Sequence, residues 1–103
     1  MNRKVIVSVA PVAGPDPLIP EIVAEDVIKS IEAGASMCHL HGKSREGKLV
    51  ANIEVLSETF DLIREKKDVV VQVSTGGVSD MNIVERCNPL YYKHAESASL
   101  NGG

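Results

Sequence analysis

Short apolar runs alternate with helical repeats of apolar residues along the chain. The β-branched run 5–10 stops at Pro11 and predicts a buried strand, because both of its faces are largely apolar. From Pro20, apolar side chains recur at helical spacing until Gly34, which predicts a first helix with proline at its start and glycine at its end. The apolar positions of this helix are Ile22, Val23, Val27, Ile28 and Ile31.

The same alternation continues through the rest of the chain. Residues 36–41 predict a second strand, and Asn52 is the predicted N-cap of a second helix that runs to about Lys66. Residues 69–73 predict a third strand. A short helix over 81–87 and the beginning of a fourth strand at 97–100 are expected after it.

Strands that alternate with helices predict an α/β fold with parallel strands joined by right-handed crossovers. Two arrangements meet this description, a doubly wound sheet and a (β/α)₈ barrel. A barrel typically needs about 250 residues. The 103 residues have room for three to four β/α units, so we expect one domain at most.

Composition excludes several classes of function. The formal net charge is -3, no basic patch stands out, and aromatic residues are 3%, so nucleic acid is not expected as a partner. No apolar run approaches the roughly 18 residues that a membrane span needs. The start of the chain lacks the pattern of an export signal. Two cysteines without C-x-x-C spacing indicate reduced thiols, and we expect a cytoplasmic protein.

His39 and His41 are the strongest chemical feature of the sequence. Residues two apart in a strand point to the same face, with Cβ atoms roughly 6.6 Å apart, so two imidazoles there can converge on one metal ion. Cys38 and Leu40 would point to the opposite face, and Cys38 is expected to be a core thiol. The alternative is a pair of inert, hydrogen-bonded histidines near a solvent edge. Two ligands do not complete a site, and candidate third ligands are Asp16, Asp80 and His94.

A second feature is Ser74-Thr75-Gly76-Gly77, directly after a predicted strand. Hydroxyls and successive glycine N–H groups there can hold a carboxylate or a phosphate, whereas the alternative is a turn that needs glycine. The loop 11–16 would line the same mouth or act only as a connector. Lys43 and Arg45 either contact an anionic cofactor or form a solvated loop.

Six short segments, taken in order, resemble one family. They are Ala10-Pro11-Val12-Ala13-Gly14, Glu32-Ala33-Gly34-Ala35, His39-Leu40-His41, Gln72-Val73-Ser74-Thr75-Gly76-Gly77, Glu85-Arg86-Cys87 and Ala98-Ser99-Leu100-Asn101. Their order and spacing resemble the β-keto acid cleavage enzymes, which include the 3-keto-5-aminohexanoate cleavage enzymes. The resemblance implies the N-terminal β/α units of a (β/α)₈ TIM barrel, so that residues 1–103 form a single partial domain.

The resemblance also implies an activity and a site. Members exchange acyl groups, so that a β-keto acid and acetyl-CoA become acetoacetate and a new acyl-CoA. It implies that His39 and His41 are ligands of Zn²⁺ or another divalent metal, and that a glutamate beyond Gly103 is the third ligand. Homo-oligomers are expected for the full-length protein. The residues implied to contact or orient the substrate are Ser74, Thr75, Gly76, Ser99 and Asn101, with Ser74 and Ser99 in catalytic roles.

The sequence departs from the family in two respects. After His41 the family usually has an arginine and an acidic residue, whereas this chain has Gly42-Lys43-Ser44. The chain also lacks the second half of the barrel, so residues 1–103 alone are expected to be inactive. The alternatives are a truncated, catalytically inactive barrel fragment, and an α/β module that binds phosphate or another anion at Thr75-Gly76-Gly77.

Overall fold

A computed structural model describes residues 6–11, 17–75 and 81–99 of the chain. Strands and helices alternate as the apolar pattern predicted. The elements in chain order are β1 (Ser8–Val9), α1 (Pro20–Glu32), β2 (Met37–Leu40), α2 (Glu54–Lys66), β3 (Val70–Ser74), α3 (Ile83–Cys87), a 3₁₀ helix (Asn88–Tyr91) and β4 (Ser97–Ser99).

The four strands form one parallel sheet in the order β1-β2-β3-β4. This order follows the sequence without a reversal, whereas a doubly wound sheet has a switch point at which the order reverses. Sequential parallel strands are the arrangement of consecutive units in a (β/α)₈ barrel. The predicted fold class, the N-terminal β/α units of a barrel, is therefore confirmed.

The hydrophobic core lies on one face of the sheet, under α1 and α2. Alternate residues of the strands point toward these helices, and Cys38, Leu40, Val71 and Val73 are at most 1% exposed. Burying side chains of this size stabilises the fold by about 1.5–3 kcal/mol each. The helices contribute to the same core with Val23, Ala24, Val27, Leu56, Phe60 and Ile63.

The ends of the first helix have simple physical causes. Pro20 is its first residue, where the missing N–H of proline has no cost. Gly34 has a φ of 120°, a conformation that other residues rarely adopt, and the chain turns there toward β2. Of the apolar positions of this helix, Ile22 is 56% exposed, whereas Val23 and Val27 are buried.

Two predictions need correction. The run 5–10 was expected to be a buried strand, but Ile6 is 72% and Val7 is 50% exposed. The reason is that β1 is an edge of the described sheet, with β2 as its one neighbour there. Asn52 was expected to be an N-cap, whereas the N-cap position of α2 is Ile53; the Asn52 carboxamide oxygen accepts a hydrogen bond from Glu54 N at 2.7 Å just before the helix.

The segment between β3 and β4 is held against α2 by Tyr92. This side chain is 4% exposed, and its ring stacks on Phe60 with a centroid distance of 5.3 Å. Its hydroxyl donates a hydrogen bond to Asp61 at 2.7 Å. None of the helices in the described part of the chain is long and apolar enough to cross a membrane.

Candidate active site

The face of the sheet opposite the helices carries the candidate site. Register places His39 of β2 beside Gln72 of β3, and Gln72 beside Ser97 of β4. Ser74 lies beside Ser99 in the next row toward the carboxyl ends of the strands. A polar surface is therefore formed where parallel α/β proteins keep their sites.

The two histidines adjoin each other, as the spacing predicted. The ring centroids of His39 and His41 are 5.1 Å apart, and the rings are nearly perpendicular at 87°. Leu40, between them, points into the core and is 1% exposed. The alternation of β2 thus separates a pair of imidazoles on one face from an apolar anchor on the other.

His39 is held by a hydrogen bond that crosses the sheet. Its Nδ1 lies 2.8 Å from the side-chain oxygen of Gln72. Because a carboxamide oxygen can only accept, Nδ1 carries the proton in this pair. The Gln72 amide nitrogen in turn donates to the hydroxyl oxygen of Ser97 at 3.2 Å. Three strands are connected by this chain of side chains.

His41 differs from His39 in its surroundings. Its Nδ1 is buried and has no hydrogen-bond partner in the described part of the chain. Burial lowers the pKa of His41, and the neighbouring His39 and Lys43 lower this pKa further. His41 is therefore favoured in its neutral form, which is the form that binds metal ions.

The chemistry of the pair fits a metal ion. The neutral imidazole of His41, whose buried Nδ1 has no partner among the described residues, is a ready ligand. The hydrogen bond at Nδ1 of His39 leaves its Nε2 for coordination. No three side chains of His, Cys, Asp or Glu converge within residues 6–11, 17–75 and 81–99. His94 is not part of such a group, and its ring contacts Tyr92 at a centroid distance of 5.7 Å. The other two candidate ligands, Asp16 and Asp80, lie outside the described residues.

The hydroxyl residues of the predicted pocket lie on the same side of the sheet. Ser74 is 2% exposed, and Ser99 is partly buried beside it. The Thr75 hydroxyl donates a hydrogen bond of 2.6 Å to the backbone carbonyl of Ser99, which ties the end of β3 to β4. Gly76 and Asn101 lie outside the described residues.

A short hairpin after the histidines positions the basic residues. The Val50 N–H donates to the Gly42 carbonyl at 2.9 Å, and Lys43 forms an antiparallel bridge with Leu49. Lys43 is 4% exposed. Arg45 is exposed and pairs with Glu58 at 3.2 Å, which ties it to α2 in an ion pair of little energetic value.

The two thiols differ in their burial. Cys38 is buried in the core, as expected, and burial raises the pKa of its thiol to about 12. A thiol with so high a pKa is unreactive at neutral pH. Cys87 is partly buried at the end of α3, and both cysteines are free.

Gln72 and Ser97 are parts of the site that the sequence had not suggested. A single amide in an apolar strand has no diagnostic spacing. Alternation does place Gln72 and Ser74 on the same face of β3. The register that brings Gln72 opposite His39 is the missing piece of information, and it comes from the assembled sheet.

The chain matches one family model and several curated relatives. A family model described as beta-keto acid cleavage enzyme matches residues 5–103. The chain is 30% identical to a 3,5-dioxohexanoate:acetyl-CoA acetone transferase of Paraburkholderia graminis, over 99% of this chain and 36% of that protein. Two 3-keto-5-aminohexanoate cleavage enzymes are also similar. The enzyme of Fusobacterium nucleatum is 36% identical over 85% of this chain and 34% of its own length. The enzyme of Acetoanaerobium sticklandii is 34% identical over 84% of this chain and 32% of its own length.

The chain spans about a third of the length of these curated relatives. The family match nevertheless extends over nearly all of its residues and includes the histidine pair and the hydroxyl residues at the ends of β3 and β4. The chain belongs to the β-keto acid cleavage enzyme family.

Proposed function

We propose that this chain forms the histidine side of the active site of an enzyme that transfers acyl groups between a β-keto acid and acetyl-CoA. The observation that carries the proposal is the pair of adjoining imidazoles on the polar face of β2. The buried Nδ1 of His41 has no partner among the described residues, and the Nδ1 of His39 is hydrogen-bonded to Gln72. The family and the names of the relatives support the class of reaction.

In this proposal His39 and His41 hold a Zn²⁺ ion, and the third protein ligand comes from outside residues 1–103. The bound ion would supply Lewis acidity that polarises the keto oxygen of the substrate. Two histidines with one further ligand would match the three protein ligands and one open position of catalytic zinc sites.

The hydroxyl residues would bind the carboxylate end of the β-keto acid. Ser74 and Ser99 lie side by side, and the Thr75 hydrogen bond to the Ser99 carbonyl holds their two strands together. Two hydroxyl donors so fixed would orient a carboxylate with little loss of side-chain entropy. In the reaction, the bond between the keto carbon and the α-carbon breaks, and the α-carbon forms a new bond to the acetyl carbonyl carbon. Coenzyme A leaves the acetyl group and takes up the acyl group that is released.

We also propose that residues 1–103 alone do not turn over substrate. The relatives are about three times as long, and three ligand-type side chains do not converge among the described residues. An anion-binding module at Thr75-Gly76-Gly77 has less support, because the hydroxyl proton of Thr75 is engaged by Ser99.

Calorimetric titration with Zn²⁺ tests the ligand assignment. We expect His39→Ala and His41→Ala each to weaken binding strongly, and the double variant to abolish it. His94→Ala is the matched control, because His94 contacts Tyr92 and is not part of the pair. Equal affinity of the wild type and the double variant would contradict the assignment. The reaction is tested in a protein of the relatives' length by following acetoacetate formation from acetyl-CoA and a panel of β-keto acids.

A further inference from the structure

The hydrogen bonds of Gln72 have a consequence for one imidazole. Its side chain lies between His39 on β2 and Ser97 on β4, with its oxygen 2.8 Å from Nδ1 and its nitrogen 3.2 Å from the serine hydroxyl. All three side chains are partly buried, and the register of both strand pairs fixes them in one row. The register of the strands therefore sets the relative positions of these three side chains.

A neutral imidazole has one N–H and one bare nitrogen, and only the bare nitrogen can bind a metal ion. Because Gln72 presents its oxygen to Nδ1 of His39, the proton resides on Nδ1 and the lone pair on Nε2. We propose that Gln72 is a positioning residue that fixes the tautomer of His39, and that the hydrogen bond with Ser97 holds the Gln72 amide beside the imidazole. The proposal rests on the zinc site put forward above.

The hydrogen bond with Ser97 holds the Gln72 amide beside the imidazole. With its oxygen facing Nδ1, the amide accepts a hydrogen bond from His39 and donates one to the Ser97 hydroxyl. If the amide were turned end for end, its NH₂ group would donate to Nδ1, the proton of His39 would move to Nε2, and the ligand would be lost. A leucine or valine in place of Gln72 would fill the space without selecting a tautomer of His39.

The arrangement treats the two histidines differently. The described residues include no hydrogen-bond partner for Nδ1 of His41, so its tautomer is not selected in the same way. Removal of Gln72 should therefore change the proton distribution of His39 and leave that of His41 unaltered. This asymmetry is a signature that a general loss of stability would not produce.

The experiment is a long-range ¹H–¹⁵N correlation spectrum of the histidine rings in the 103-residue chain, without metal, at a pH where the imidazoles are neutral. We expect His39 in the wild type to be protonated at Nδ1. Gln72→Leu should give a mixture of tautomers, and Gln72→Glu should retain the wild-type tautomer because a carboxylate also accepts. Ser97→Ala should give a smaller shift toward the mixture. Asn88→Leu is the control, because this amide donates to the Ala51 carbonyl in another part of the molecule.

Zinc titration of the same variants provides the second measurement. Loss of a hydrogen-bond partner that orients a ligand typically weakens metal binding by roughly 10–100-fold, and we expect Gln72→Leu to fall in that range. Gln72→Glu should bind at least as tightly as the wild type.

A wild-type spectrum with His39 protonated at Nε2 would overturn the inference. So would a Gln72→Leu protein with unchanged tautomer and unchanged zinc affinity. If Gln72→Leu does not fold, the other two variants still decide: Ser97→Ala by a shift of His39 toward the mixture of tautomers, and Gln72→Glu by retention of the wild-type tautomer. The proposed function fails separately, if the tautomer is as expected but His39→Ala leaves zinc affinity unchanged.

Discussion

Gly42 lies between the histidine pair and the hairpin that follows it, and the backbone approaches it closely. A Cβ atom placed on Gly42 would be 3.0 Å from the Val50 carbonyl oxygen. The Val50 N–H is at the same time bonded to the Gly42 carbonyl, so neither strand of the hairpin can easily move away. The absence of a side chain at Gly42 allows this close approach of its backbone to Val50.

Gly42→Ala should therefore destabilise the fold by about 1–3 kcal/mol, the usual cost of forcing extra atoms into a packed region. The midpoint of urea unfolding measures the effect. Lys48→Ala, an exposed position in the same hairpin, should stay within about 0.5 kcal/mol of the wild type. An unchanged midpoint for Gly42→Ala would show that the hairpin can widen at no cost.

Tyr92 makes the free energy of unfolding depend on pH in the alkaline range. Burial raises the pKa of its phenol, and the hydrogen bond to Asp61 raises this pKa further. The folded state keeps the proton at pH values where the unfolded chain, with a tyrosine pKa of about 10, has lost it. Deprotonation thus favours unfolding, and the stabilising contribution is complete below about pH 10 and lost as the pH rises above it.

Tyr92→Phe should cost about 0.5–1.5 kcal/mol at neutral pH, because one hydrogen bond is lost while the ring still packs on Phe60. Above about pH 10 its stability should fall less steeply than that of the wild type. Part of the slope will remain in both proteins, since the buried Cys38 thiol also has a raised pKa. Urea unfolding between pH 8 and 11 measures both slopes, and identical slopes would argue against the Tyr92 contribution.

At the level of single residues, the sequence predicted the site as far as alternation within one strand allows. His39 and His41 share a face, and Cys38 and Leu40 are buried on the other, as predicted. Gln72 was missed because its role depends on its position across two strand pairs, which no local spacing encodes. The roles of Ser74 and Ser99 come from family resemblance and stay predictions.

At the level of elements, the sequence predicted which helices and strands form. It predicted less well where the helices begin and which strands are buried. The helical spacing of Leu56, Phe60 and Ile63 can be read from the sequence of α2 alone, and all three are buried. The start of the helix depends on one hydrogen bond, and Asn52 makes that bond to Glu54 from one residue before the N-cap position. Burial of β1 depends on neighbours on both of its sides, which a local apolar pattern cannot show.

The shortest helix is stabilised by a reciprocal pair of hydrogen bonds at its start. The Asn82 side chain accepts from Glu85 N at 2.8 Å, and the Glu85 carboxylate accepts from Asn82 N at 3.4 Å. Helices this short do not form from propensity alone, so the pair should decide whether α3 is ordered.

Asn82→Ala should remove about 0.5–2 kcal/mol from the local stability of α3. Hydrogen exchange should then become faster at the amides of Glu85 and Arg86, with little change in the strands. Glu85→Gln is the control, because a glutamine at this position still completes the capping pair. Uniformly faster exchange across the sheet would instead indicate that α3 is part of the global unfolding unit.

At the scale of the whole molecule, the described sheet has two open edges and a polar face without a covering layer. β1 and β4 are the outer strands, and unpaired parallel edges favour association. Large apolar side chains are also exposed near β4, on α3 and the 3₁₀ helix that follows. They are Ile83, Val84, Leu90 and Tyr91, each at least 48% exposed.

We expect the 103-residue chain to self-associate at micromolar concentrations and above. Ile83→Lys combined with Leu90→Lys should reduce this association, because two charges then interrupt the apolar surface. Ala33→Lys combined with Ser36→Lys adds the same charge at exposed positions elsewhere and is the matched control. Sedimentation velocity over a concentration series measures the effect, and a monomer at all concentrations would contradict the prediction.

The unbroken strand order also bears on how the chain acquires its structure during synthesis. Each described strand is hydrogen-bonded to strands that are adjacent in sequence, so β2 has its first partner before β3 has been made. Each pairing closes a crossover of about 30 residues, and domains tend to fold from the N-terminus as they leave the ribosome. Each new strand of the nascent chain can therefore pair with the free edge of the strand that was synthesised before it.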